Sequence, residues 1–474
     1  MPSTLKRTHL RELTLNRACT NIVRAKVRSS EFVVFTCLHH VPIVELYHRF
    51  VDNGDRTYED KCHKEPSRTH HHHHQQQQSY PTRVSRPKSR RNAHPIHSLP
   101  GELLAHLFVL GSSLDVAFPI TVSHVCSAWR DVALHTPSLW RRITLNSDAR
   151  YRLDMWRERI HRAKVCSLDI ELGAFPSQWG TKPPKSNFDI HTVQWHMHLV
   201  LPSISRWRSL KFCFPHYAPF LWNAALSTCC GAGRRVHAPL IEELSLIYPA
   251  NDDTKVFTLF GGVATRLLRL TIDGIRLAWL PSLFGNLTFL DYTHRGPIRG
   301  NQAVALVLDM LQVSSRLQEL RISFPSYVDF RPLPGHARAH KYVALPFLST
   351  LHLCIDGPDI PYELYSLLPH LTFPSLISLR LLDRRHSLHT FPRLGPFLQA
   401  FRLPISLRYL WLESGWVDHR ILPSLFNSLK GLRRAVVNGA KVPDSYFVSL
   451  VGKRGREGGY IFGEAGLPHL ISRE

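Results

Sequence analysis

Two periodicities divide the chain. From Ser98 to Leu145 the sequence SLPGELLAHLFVLGSSLDVAFPITVSHVCSAWRDVALHTPSLWRRITL spaces its apolar residues as helices do, and beyond Val165 a shorter motif takes over. In the first stretch Leu103, Leu104, Leu107 and Phe108 recur at i, i+1, i+4 and i+5, with Pro100 near the helix start, where a missing N–H does no harm. Val122, Val125, Cys126, Trp129, Val132 and Ala133 follow the i, i+3, i+4, i+7 pattern of a second helix. Thr136 and Pro137 read as the N-cap and first-turn pair of a short third helix carrying Leu139 and Trp140. A strand at Ile143–Leu145 and a helix over 149–163, with Leu153, Trp156 and Ile160 on one side, come next. Three short helices in about 45 residues supply little core, so part of this apolar surface is expected to serve another chain.

The later motif is an apolar residue, two variable residues, an apolar residue, one variable residue and a third apolar residue. It appears as WRSLKF, IEELSL, LLRLTI, LTFLDY, LQELRI, LSTLHL, LISLRL and LRYLWL, with VCSLDIEL opening the series and a degenerate LRRAVV closing it. The middle positions Leu168, Leu210, Leu244, Leu270, Leu290, Leu320, Leu351, Leu379, Leu410 and Ala435 lie 20 to 42 residues apart, mostly near the period of a leucine-rich repeat. Each unit predicts a short strand and a return segment, often with proline, as in LPSLFGN and LPSLFNS. One unit cannot bury its apolar face alone, so neighbours are expected to stack into a solenoid.

Strand alternation turns the residue between the second and third apolar positions to the open face. Along the series these residues are Asp169, Lys211, Ser245, Thr271, Asp291, Arg321, His352, Arg380, Trp411 and Val436. With strands about 4.8 Å apart, Arg321, His352, Arg380 and Trp411 form one column, flanked by Tyr409 and Glu413. Two arginines beside a tryptophan suit an acidic or phosphorylated segment held by bidentate hydrogen bonds and stacking. The competing reading is a solvated basic face with no special role.

Composition adds a bias without choosing a partner. The chain has 474 residues, 44% of them hydrophobic, and its 59 Lys and Arg against 36 Asp and Glu give a net charge of +23. Such an excess attracts acidic proteins, nucleic acid or anionic membranes alike. Nine scattered cysteines, only Cys229 and Cys230 adjacent, give no disulfide framework and predict reduced thiols of the cytoplasm or nucleus. The stretch EFVVFTCLHHVPIVEL is too short and interrupted to span a bilayer, so no membrane association is expected. Residues 1–95, basic and polar, lack apolar periodicity and predict a disordered leader. Within it, the His70–His74 run reads as low complexity rather than a metal site, and SRPKSRR (Ser85–Arg91) as a charge run or a phosphate-binding patch. A nucleic-acid role resting on this leader is a third, weaker class, with no recognition fold beside it.

Catalytic signatures are missing: the sequence has no P-loop, HExxH, GxSxG or paired CxxC, and GAGRRV (Gly231–Val236) only brushes a dinucleotide fingerprint. No enzyme, cofactor or metal is expected.

Residues 98–145 resemble the F-box, and specifically the F-box-like domain common in mushroom-forming fungi, whose members usually carry irregular leucine-rich repeats downstream. The resemblance rests on Leu99-Pro100, Glu102-Leu103-Leu104, Leu107-Phe108, Val125-Cys126-Ser127-Ala128-Trp129-Arg130 and Pro137-Ser138-Leu139-Trp140. It departs from the family at Gly101 and in the connection Gly111–Pro119. It implies an α/β chain with a small three-helix F-box-like domain at 96–147 and a leucine-rich-repeat-like solenoid at 148–474. It further implies docking on a Skp-type adaptor, and through it on a cullin-RING complex, with the repeats holding a protein substrate for ubiquitin transfer. Candidate adaptor residues are Leu99, Pro100, Leu103, Leu104, Leu107, Phe108, Val125, Cys126, Trp129, Leu139 and Trp140, some of which would equally make the module's own core. The alternative is a leucine-rich interaction scaffold with no ligase role.

Overall fold

The computed structural model describes residues 99–442 apart from 146–152, 175–189, 218, 231–235, 252–254, 296–297, 326–341 and 402, together with residue 96 and two strands near the N-terminus. Those strands, β1 (Ile22–Val27) and β2 (Ser30–Phe35), pair antiparallel from Ile22 opposite Phe35 to Val27 opposite Ser30. The rest of the expected leader, with the histidine run and Ser85–Arg91, lies outside the described residues, as does nearly all of GAGRRV. Backbone contacts divide the chain into two units, 1–103 with 176–182, and 104–175 with 183–474.

Helix α1 spans Gly101–Leu114. The second predicted helix is instead two, α2 (Phe118–Ser123) and α3 (Ser127–Leu134), broken at Cys126. Cys126 is extended, and its Sγ accepts from the Trp129 N–H at 3.5 Å, so this residue caps α3 rather than lying within a helix. Thr136 does not cap the third helix: its hydroxyl donates back to the Val132 carbonyl oxygen at 2.7 Å, and Pro137–Trp140 is a single 3-10 turn. Helix α4 (Leu153–Arg162) then leads into the sheet.

Among the described residues twelve strands form that sheet in chain order: β3 (Arg142–Leu145), β4 (Leu168–Gly173), β5 (Trp207–Cys213), β6 (Glu243–Ile247), β7 (Arg269–Asp273), β8 (Phe289–Thr293), β9 (Glu319–Pro325), β10 (Thr350–Asp356), β11 (Ser378–Asp383), β12 (Tyr409–Leu412), β13 (Arg434–Val437) and β14 (Ala440–Lys441). Neighbours are parallel except β14, which turns back antiparallel on β13 at the edge. Parallel strands need crossovers, and most of the described return segments supply them with a helix, from the four residues of Pro281–Phe284 to the fourteen of Gly300–Val313. The proline segments LPSLFGN and LPSLFNS become Pro281–Phe284 and Leu422–Ser428, each with proline in the first turn, where its fixed φ suits a helix.

Leu210, Leu244, Leu270, Leu290, Leu320, Leu351, Leu379, Leu410 and Ala435 stand opposite one another in unbroken register, all buried. The first unit is the exception. Ile170, not Leu168, faces Leu210, while Leu168 faces Trp207 across a register shift, and Ile143 of β3 continues the row. The open-face column therefore begins with Thr144 and Glu171 in place of Asp169.

Candidate protein-docking surfaces

The column on the sheet is contiguous: Arg321 lies opposite His352, His352 opposite Arg380, and Arg380 opposite Trp411. Its members differ in what they can offer. Arg321 donates from Nε and Nη2 to Glu319 Oε1 at 2.8 and 2.7 Å, lies 3.9 Å from Asp291, and covers the Phe289 ring at 5.1 Å, so its charge is already matched. His352 is 7% exposed and its Nε2 has no hydrogen-bond partner among the described residues. Burial, with Arg321 and Arg380 on either side, lowers its pKa to about 4, so the ring is neutral at pH 7.

Arg380 is exposed and makes no ion pair among the described residues; its guanidinium lies 5.4 Å from the Trp411 ring. Trp411 Nε1 donates to Glu413 Oε1 at 2.8 Å, so Glu413 fixes the indole on which the Arg380 guanidinium rests. Tyr409, two residues before Trp411 and on the same side of the strand, is 45% exposed. At the other end, Asp169 is taken up by Arg208 at 3.0 and 2.7 Å, and Glu171 accepts from Arg142 and Thr144.

The helical module is organised around Phe108, whose ring stands 5.0 Å from Trp129 and 6.3 Å from Phe118. Gly111 answers to this packing: a Cβ there would overlap the Phe118 ring. Trp140 is buried and donates from Nε1 to the Ala133 carbonyl oxygen at 2.8 Å. Leucines on the other side of α1 are uncovered: Leu107 is 49%, Leu110 65% and Leu114 74% exposed, on one face by their spacing.

Residues 96–146 match the family model of the F-box-like domain. This match suggests an adaptor role in SCF-type ubiquitin ligases, whose F-box proteins dock a Skp-type adaptor. No curated protein matches the chain.

Within the F-box-like domain the structure divides the eleven sequence candidates. Leu104, Phe108, Leu139 and Trp140 are interior. Leu99, Pro100, Leu103, Leu107 and Val125 are exposed, and Cys126 and Trp129 half-buried. Leu110, Leu114 and Leu134 are exposed as well and are not among the eleven, although Leu107, Leu110 and Leu114 stand at i, i+3 and i+7 in the sequence. Among the described residues no helix is long and apolar enough to cross a membrane, and no group of three His, Cys, Asp or Glu is placed to hold a metal ion.

Proposed function

We propose that this chain is the substrate-receptor subunit of an SCF-type ubiquitin ligase and performs no chemistry of its own. Its F-box-like domain docks a Skp-type adaptor, which joins it to a cullin-RING complex. The parallel sheet is read as an irregular leucine-rich-repeat solenoid whose open face, around Arg321, His352, Arg380, Tyr409, Trp411 and Glu413, holds an acidic or phosphorylated protein substrate. The three units are a basic leader over 1–95, the F-box-like domain over 96–147 and the repeats over 148–474.

The observation that carries the adaptor reading is the leucine face of α1. Leu107, Leu110 and Leu114 stand uncovered on a helix whose opposite side, Leu104 and Phe108, is buried, so the helix is apolar on both sides and only one is used internally. A large exposed apolar stripe on a small domain marks an interaction surface. Leu99, Pro100, Leu103 and Val125 belong to the same docking role, while Leu139 and Trp140 support it from the core.

Co-purification with a Skp-type adaptor tests this. The wild-type chain retains the adaptor, and Leu107→Glu combined with Leu110→Glu releases it without unfolding the protein. A wild-type chain that retains no adaptor leaves the interaction-scaffold reading in its place.

A further inference from the structure

The charges around Arg380 discriminate between the two kinds of acidic ligand. On β9 Arg321 is neutralised by Glu319 and Asp291, and on β12 Glu413 engages the Trp411 N–H. Between them Arg380 is exposed and without an acidic partner among the described residues. Beside it, on the adjoining strand, lies a second unmet demand: the buried Nε2 of His352. A buried polar atom without a partner is uncommon and costs free energy until something satisfies it.

We infer that Arg380 and His352, with Trp411 as an apolar wall, form an anchor for one carboxylate side chain of an acidic peptide, in preference to a phosphate. The guanidinium fork matches the two carboxylate oxygens, and the imidazole, as its Nε2–H tautomer, donates to one of them once ligand binding uncovers this nitrogen, which is buried in the unbound chain. Arg321 and Arg380 already face three carboxylates, Glu319, Asp291 and Glu413, none of which pairs with Arg380. A carboxylate ligand adds one negative charge to that set, whereas a phosphorylated side chain adds about −1.5 to −2 and meets correspondingly more repulsion. This inference rests on the reading of the sheet face as the substrate surface.

The test uses the full chain and two fluorescein-labelled decapeptides, alternating Gly-Glu and alternating Gly-phosphoserine, in anisotropy titrations at about 0.15 M salt, where diffuse attraction to the basic chain is screened. Lys430→Gln, which removes one exposed charge away from the column, is the control. Arg380→Gln should weaken Gly-Glu binding roughly tenfold, the size of a lost charge-assisted hydrogen bond, while Lys430→Gln changes it by less than about twofold. The phosphopeptide should lose no more from Arg380→Gln than from Lys430→Gln.

His352→Leu should also weaken Gly-Glu binding, and His352→Gln, whose amide nitrogen sits near the Nε2 position, should restore it. Unfolding curves confirm that each variant is folded. Equal effects of Arg380→Gln and Lys430→Gln on Gly-Glu binding would overturn the anchor, and wild-type binding by His352→Leu would remove the imidazole from it. A larger Arg380→Gln effect on the phosphopeptide would overturn the preference for carboxylate. Adaptor capture measured on the same preparations separates this outcome from failure of the ligase reading, since the decapeptide result does not depend on the F-box-like domain.

Discussion

Arg159 donates from Nη1 to the Val116 carbonyl oxygen at 2.7 Å, tying α4 to the turn between the first two helices of the F-box-like domain. The same guanidinium lies 5.8 Å from the Trp140 ring and 5.6 Å from that of Trp156, and Arg162 covers Trp140 at 4.7 Å. Arg142 adds a second tie: it reaches the Ser113 carbonyl oxygen at 3.0 Å while holding Glu171 of β4. The F-box-like domain is thus fastened to the first strands of the sheet by buried or half-buried arginines.

Removing this fastening should be costly. Arg159→Leu is expected to lower the unfolding free energy by about 2 kcal/mol or more, because it deletes a charge-assisted hydrogen bond and leaves the Val116 carbonyl unmet. Arg157→Leu, on the same helix but in an exposed pair with Asp154, should change stability by less than about 0.5 kcal/mol. Urea denaturation compares the two; equal effects would mean that the buried arginine is not a fastening.

The two sides of α1 should separate binding from stability. Leu107→Glu and Leu110→Glu change exposed positions and should leave stability within about 0.5 kcal/mol while abolishing adaptor capture. Leu104→Ala and Phe108→Ala, in the core, should cost about 2 to 5 kcal/mol each and impair capture only as far as the domain unfolds. Adaptor retained by the double glutamate variant would place docking elsewhere.

These two sides show where sequence reading succeeds and stops. Leu103, Leu104, Leu107 and Phe108 declare a doubly apolar helix by spacing alone, but which pair faces inward depends on packing against Trp129 and Phe118, which no local pattern carries. The nine strands from β5 to β13 were legible because buried positions repeat at a constant offset. At β4 the same logic slipped by two residues, since Leu168 and Ile170 are both buried on one face and a shift of two preserves every side chain's facing. Only pairing with Trp207 and Leu210 selects between them, and that exchanges Asp169 for Glu171 in the open column. Likewise, the column's composition was visible in advance, whereas the capture of Arg321 by Glu319 and of the Trp411 N–H by Glu413 arises between side chains two apart on one strand.

Cys126 offers a test of the break between α2 and α3. Its thiol is a weak acceptor for the Trp129 N–H, and serine is among the preferred residues at an N-cap. Cys126→Ser should therefore keep or raise stability by about 0.5 to 1 kcal/mol, and Cys126→Ala should lower it by a few tenths or more. Were 122–133 one helix, serine in its interior would instead destabilise it. Thermal unfolding of the three proteins decides the sign.

Acid should weaken the fold through its buried histidines. Burial lowers the pKa of His196 to about 4 and, together with the charges of Arg321 and Arg380, that of His352 to about 4; His294 is lowered as well. In the unfolded chain the same rings take up protons near the ordinary value of about 6.5. Above that pH both states are neutral and the full stability is present. As pH falls from about 6.5 toward 4 the unfolded state binds protons that the native state refuses, and stability declines by up to about 1.4 kcal/mol per pH unit for each such ring. Below about 4 the native rings also charge and this contribution flattens. Urea midpoints at pH 7.5 and pH 5 should therefore differ in the wild type, and differ less in a His196→Gln, His352→Gln double variant. An unchanged pH difference in that variant would assign the acid sensitivity to other groups.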